Sequence, residues 1–148
     1  SVIRSFTHRR MDEPEKHVSR LAALQAYEMA GLGPEDMDVV EVHDASAMGE
    51  IIQAENLGLV PLGGGGPAAE RGEFTLGGRT PINPSGGLES KGHPLGATGI
   101  GQLYELVSQL RGEAGARQVE GARHAIQENG GGLQGIEEAA VAVHILSR

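Results

Sequence analysis

The 148-residue chain has no cysteine and no tryptophan, and only two tyrosines and two phenylalanines. Without cysteine there is no disulfide scaffold, no thiolate metal site and no thiol nucleophile, and the composition fits a cytoplasmic protein. No apolar run approaches the ~18 residues of a membrane span, and no charged-then-apolar leader opens the chain. Neither a transmembrane segment nor a signal peptide is therefore expected. Basic residues are scarce as well. Twelve Lys and Arg against 20 Asp and Glu leave a net charge of −8, which argues against nonspecific nucleic-acid binding. The acids are concentrated between residues 12 and 56, where eleven face only Lys16 and Arg20; residues 1–11 hold Arg4, Arg9 and Arg10 and no acid. A basic entry strand followed by a solvated acidic helix face accounts for the split.

Apolar residues make up 39% of the chain, enough for one domain with a core of Val, Ile, Leu and Ala. Val2 to Phe6 reads as an edge strand. From His17 to Ala30, Val18, Leu21, Ala22, Leu24, Ala26 and Met29 recur at helical spacing, and Gly31 stands where a left-handed cap belongs. A turn at Gly33-Pro34-Glu35-Asp36 leads to Asp38–His43, a strand of alternating β-branched residues. A helix is expected over Ala47–Leu57, with Ser46 or Asp44 as N-cap and Gly58 just past its end. Residues 61–78 are rich in Gly and Pro, lack the Lys-Ser or Lys-Thr of a phosphate-binding loop, and read as a surface loop. Pro81 and Pro84 confine Thr80–Asn83 to a short edge segment. Ile100, Leu103, Leu106, Val107 and Leu110 mark one face of a helix ending near Gly112. Ala122–Gln127 and Ala139–Leu146 read as closing strands joined by a Gly-rich turn. The expected fold is a layered α/β domain, with a mixed central sheet of about four to five strands and helices packed on it.

Three polar positions fall at strand ends or beside helices, where layered α/β proteins place their sites. These are His43-Asp44-Ala45, Gly92-His93-Pro94 and Asn129-Gly130-Gly131. The second lies within N-P-S-G-G-L-E-S-K-G-H-P-L-G-A-T-G, where glycine and proline surround a single imidazole. An imidazole titrates near pH ~6.5 and so can accept and return a proton in neutral solution.

These residues resemble the thiolase superfamily, in particular thiolases of the sterol-carrier-protein type and the archaeal acetoacetyl-CoA thiolases. G-H-P-L-G-A-T-G is specific to the superfamily, and V-E-V-H-D to this branch. The resemblance runs the length of the chain and matches the C-terminal half of a thiolase. It implies that His93 takes the proton of a nucleophilic cysteine and helps hold the thioester oxygen. It implies that His43 stands where ordinary thiolases hold a catalytic water with asparagine, and that it donates to the oxyanion or carries a proton. Backbone N–H groups at Gly130 or Gly131, beside Asn129, are candidates for oxyanion support, and Gly87, Gly92 and Gly96 for close approach to an acyl-pantetheine arm. Asp44 orients His43 or caps the next helix.

Two departures stand out. Many thiolases place a second cysteine in a Cys-x-Gly motif, where this chain has Asn129, and some sterol-carrier-type enzymes place one where it has Ala45. An amide does not titrate usefully. The nucleophile itself is expected from an absent N-terminal half, in keeping with a chain that opens at Ser1 without methionine. The resemblance further implies coenzyme A and acyl-CoA as substrates, no covalently bound cofactor, no metal, and a homo-oligomer. The alternatives are an aldolase subunit or a non-catalytic acyl-CoA- or lipid-binding subunit.

Overall fold

Side chains on a strand alternate between the two faces of a sheet, and neighbouring residues of this chain supply two separate cores in that way. In the computed structural model, which describes all 148 residues, four strands are ordered β1-β4-β3-β2. They are β1 (Val2–Ser5), β2 (Val39–Glu41), β3 (His124–Gln134) and β4 (Glu137–Ser147). β4 is antiparallel to both β1 and β3, whereas β2 runs parallel to β3. Ile82 adds one further parallel bridge to Val40. The sheet is mixed and four-stranded, as expected.

Val40, Ile126, Val141 and Val143 enter the larger core, under helix α1 (Val18–Ala30). Val39 and Ala125, one residue away from Val40 and Ile126, enter the smaller core with Leu106 and Leu110 of α5 (Thr98–Arg111). Each helix ends on the expected glycine in the left-handed conformation, Gly31 at φ 66° and Gly112 at φ 74°. Between them lie α2 (Ala47–Asn56), α3 (Gly65–Glu70) and α4 (Gly87–Lys91).

Several sequence expectations need correction. The 61–78 stretch is not all loop, because Gly65–Glu70 winds into α3 against α2; a side chain at Gly65 would meet Ile51 and Glu55. The Gly-rich run Asn129–Gln134 is not a turn. It continues β3 opposite Glu137–Ala142, and the hairpin closes only at Gly135-Ile136. On α1, Leu24 and Met29 face outward while Ala23 and Tyr27 are buried. On α5, Ile100 is exposed and the buried face includes Gln102, Glu105 and Gln109. These polar groups are buried because they bond one another and the backbone, which helical spacing of apolar residues cannot reveal. Gln109 Nε2 donates to Glu105 Oε1 and to the Arg117 carbonyl, and Gln102 Nε2 donates to the Glu128 carbonyl.

Leu106 is fully buried in the smaller core. Leu106→Ala is expected to cost about 2–5 kcal/mol, measured by urea unfolding. Ile100→Ala, on the exposed side of the same helix, is expected to stay within about 0.5 kcal/mol of the parent.

Candidate functional site

The parallel register of β2 with β3 pairs Val39 with Ala125, Val40 with Ile126 and Glu41 with Gln127. Two residues further on, the chain leaves β2 at His43 while β3 continues to Asn129, so the two side chains meet. His43 Nδ1 lies 3.4 Å from Asn129 Oδ1. The Asn129 amide is oriented by donation from Nδ2 to the Gly130 carbonyl, which leaves Oδ1 as the acceptor. The neutral His43 ring therefore carries its proton on Nδ1 and keeps a free lone pair on Nε2. Gly99, in the first turn of α5, leaves room for this amide; a Cβ there would lie 3.4 Å from Asn129 Cγ.

His93 comes from the loop between α4 and α5. Its Nδ1 lies 2.7 Å from Thr98 Oγ1, and that hydroxyl donates to the Pro94 carbonyl. With the Thr98 proton on the Pro94 carbonyl, Thr98 accepts from His93 Nδ1–H, the tautomer that leaves a lone pair on His93 Nε2. The His43 and His93 rings stand edge to face, centroids 4.9 Å apart at 80°. Both line a cavity of about 810 Å³ that Gly96, Asn129, Gly130 and Gly131 also border. Apolar walls come from Ile52, Leu95, Ile100, Leu103 and Ile136.

Two of the three glycines expected along the substrate loop stand elsewhere. Gly87 is buried against Asp44, and Gly92 ends α4 at φ 89°; only Gly96 borders the cavity. Asp44 neither orients the His43 ring nor caps α2, whose cap is Ser46 accepting from Gly49 N–H. Asp44 instead accepts from Leu88 N–H at 2.7 Å and Glu89 N–H at 3.4 Å, at the start of α4. Gly130 has a reason of its own to be glycine, since a Cβ there would overlap Glu138 Cγ.

The cavity holds further titratable groups that motif reading did not single out. His17, the N-cap of α1, accepts from Ser19 N–H through Nδ1, so its Nε2–H faces Glu138 Oε2 at 3.6 Å. Burial draws the His17 imidazole below the ordinary histidine range, against the opposite pull of Glu138. Glu138 is held by Gln53 Nε2 at 2.8 Å. His144 Nδ1 lies 2.7 Å from Gln127 Oε1, and burial lowers this histidine too. Its signal in the sequence was a lone polar residue in the apolar run V-A-V-H-I-L. Behind His43 the fully buried carboxyl of Glu128 accepts from His43 N–H at 3.2 Å and from the Ser19 hydroxyl at 3.3 Å. Burial, with the Glu138 charge nearby, pushes Glu128 up to about 8 despite those two donors.

The sheet order, the histidine pair and the glycine-bordered cavity define a layered α/β domain with two facing histidines in a cavity at the end of a parallel strand pair. The chain belongs to the thiolase C-terminal domain-like family, whose model matches residues 2–148. It is 57% identical over 112 residues to sterol carrier protein 2 of Rattus norvegicus, covering 76% of this chain and 20% of that protein. It is 50% identical over 141 residues to acetyl-CoA acetyltransferase of Methanothermobacter thermautotrophicus, covering 95% of this chain and 36% of that one. The chain thus spans about a fifth to a third of the length of these relatives. Among solved structures, the Ltp2-ChsH2(DUF35) aldolase shares the fold with a TM-score of 0.74 at 22% identity, covering 87% of this chain and 31% of that one. No helix is long and apolar enough to cross a membrane.

Glu128 titrates near 4.5 when unfolded and near 8 when folded. Between those values the folded chain keeps a proton that the unfolded chain releases, so this residue makes stability fall as pH rises across the interval. Glu128→Gln, a mimic of the protonated acid, is expected to flatten that fall and to gain most over the parent at the upper end. Thermal unfolding of both proteins from about pH 5 to about pH 8 checks it.

Proposed function

We propose that the chain is the C-terminal half of a thiolase-type acyl-CoA acyltransferase, with His93 and His43 as its catalytic residues. The observation that carries this is the pair itself: two imidazoles edge to face at 4.9 Å, each with its Nδ1 turned to a side-chain partner, Asn129 Oδ1 or Thr98 Oγ1. A lone pair on Nε2 makes His93 a base first. It takes the proton of a cysteine thiol supplied by the N-terminal half, and the thiolate attacks the keto carbon of a 3-ketoacyl thioester. The resulting imidazolium then presents Nε2–H to the oxygen on which charge develops. Collapse breaks the carbon–carbon bond, leaves the acyl group on sulfur and releases the enolate of acetyl-CoA. The imidazole pair returns the proton to the enolate carbon, with His43 as the donor. Coenzyme A then gives its thiol proton to His93 and takes the acyl group, and the cysteine leaves as thiolate. Run backwards, the same steps make the carbon–carbon bond.

His43 thereby does the work of the second cysteine that Asn129 and Ala45 do not supply. Asn129 orients the His43 ring, and backbone N–H groups at Gly130 or Gly131 are further donors for the oxyanion. The cavity, about 810 Å³ with apolar walls, suits an acyl-pantetheine arm, and coenzyme A acts as substrate rather than resident cofactor. The N-terminal half is a required partner, and the exposed side chains Leu95, Ile100 and Tyr104 near His93 suit an interface with it or with a second copy.

The chemistry assigned to the parent needs a thiol that this chain lacks. The 148 residues alone are expected to show no turnover of acetoacetyl-CoA with coenzyme A. Joined to the cysteine-bearing half, the protein is expected to turn over, and His93→Ala to lower kcat about 10²–10⁴-fold. Turnover by the chain alone, lost in His93→Ala, contradicts the assignment. An aldolase subunit is the second reading, favoured by Asn129 and Ala45 standing where thiolases carry their second cysteine; it predicts aldehyde release from a 3-hydroxyacyl thioester.

A further inference from the structure

We propose that Glu41 and Asp44 are positioning residues that bolt α4 to the end of β2 and so set the distance between His43 and His93. Their effect on catalysis rests on the assignment of the pair as the reacting groups; the mechanical coupling does not.

Both carboxylates are almost wholly buried, Glu41 at 0% and Asp44 at 3% exposure. Acids so placed are held by partners, because burying an unpaired charge is costly. Every partner lies in one segment, Ser85–Lys91. Glu41 Oε1 accepts from Ser85 N–H at 3.2 Å, and Oε2 accepts from the Ser85 hydroxyl at 2.8 Å. Oε2 also faces Lys91 Nζ at 3.5 Å, and Lys91 donates to the same hydroxyl. Asp44 takes the N–H groups of Leu88 and Glu89. One acid therefore grips Ser85, two residues before α4, and Lys91 at its end, and the other grips its first turn.

That helix has little to hold it otherwise. It has five residues and no capping side chain of its own, too short to persist on intrinsic propensity. Gly86 before it and Gly87 at its start have φ of 95° and 59°, and a Cβ on Gly87 would overlap the Asp44 carboxylate. Asn83 adds a third tie, accepting from Val42 N–H at 2.8 Å. E-V-H-D thus puts the two clamping acids on either side of His43, and the clamped helix ends two residues before His93. His93 beyond it is exposed and is secured on its other side by Thr98 of α5. The E-V-H-D element is one device: a histidine between two fasteners for the segment that carries its partner.

A residue that only stabilised the fold would lower the unfolding temperature and leave the ring spacing alone. The test is the nuclear Overhauser cross-peak between the His43 and His93 rings in the isotope-labelled 148-residue chain. Asp44→Ala is expected to remove most of its intensity, and Asp44→Asn, which keeps an acceptor oxygen, to retain it. Lys91→Met removes one fastener at a partly exposed position and gives the same readout if Asp44→Ala does not fold. In the two-half enzyme the loosened variants are expected to lose roughly 10²-fold in kcat with little change in KM. A folded Asp44→Ala or Lys91→Met chain with an unaltered cross-peak overturns the proposal. A lost cross-peak with unaltered turnover supports the clamp and contradicts the catalytic assignment of the pair instead.

Discussion

Parallel pairing of β2 with β3 is the constraint on which the site depends. A parallel ladder advances both chains in the same direction, so residues equally far past the pairing emerge side by side. From Glu41 opposite Gln127 it follows that His43 leaves its strand beside Asn129. Antiparallel pairing with β4 then carries β3 beyond that point and walls the cavity with Gly130 and Gly131. His93 reaches this place from a segment about fifty residues later in the chain, and its approach is fixed by the two acids that flank His43. The site is a property of the strand end rather than of the glycine-bordered loop alone.

Polar groups tie α5 to the sheet alongside the apolar core. On α5, Gln102 donates to the Glu128 carbonyl and its Oε1 accepts from Gln127 Nε2. Gln127 Oε1 in turn accepts from His144 Nδ1. Because the chain of bonds ends on a backbone carbonyl, which can only accept, every donor in it points one way. The neutral His144 ring therefore also carries its proton on Nδ1. Such a fully bonded network adds specificity of register more than net stability, since a slip of one residue would leave several buried amides unpaired. Glu128 is the exception to easy satisfaction. Its side chain rests against His43 N–H and Ser19 in near-complete burial, and it is tolerated there as the neutral acid.

What the sequence made legible was local. Glycine caps at Gly31 and Gly112, the β-branched alternation into His43 and the glycine-framed His93 all carry their meaning within a few residues, and all are where expected. The less legible features depend on contacts distant in sequence. Asp44 beside a helix-forming run looks like a cap for α2, yet its partners, Leu88 and Glu89, lie more than forty residues away. Asn129–Gln134 looks like a turn because glycine is a poor strand former in isolation, but pairing with β4 and the room needed by Glu138 decide otherwise. The buried amides of α5 defeat an apolar-face count, because their hydrogen bonds reach β3 and the Arg117 turn. His17 and His144 carry no motif at all, and only the packing of α1 and β4 around the cavity brings them to it.

In the proposed reaction the His43–His93 pair moves a proton to and from the carbon next to a thioester. The most direct measurement is deuterium wash-in at the methyl group of acetyl-CoA in heavy water, catalysed by the protein joined to its cysteine-bearing half. It is expected to proceed with the parent, to be lost with His43→Ala and with His93→Ala, and to survive Arg111→Ala at the exposed far end of α5. Wash-in at the parent rate in both histidine variants would rule out proton transfer by the pair.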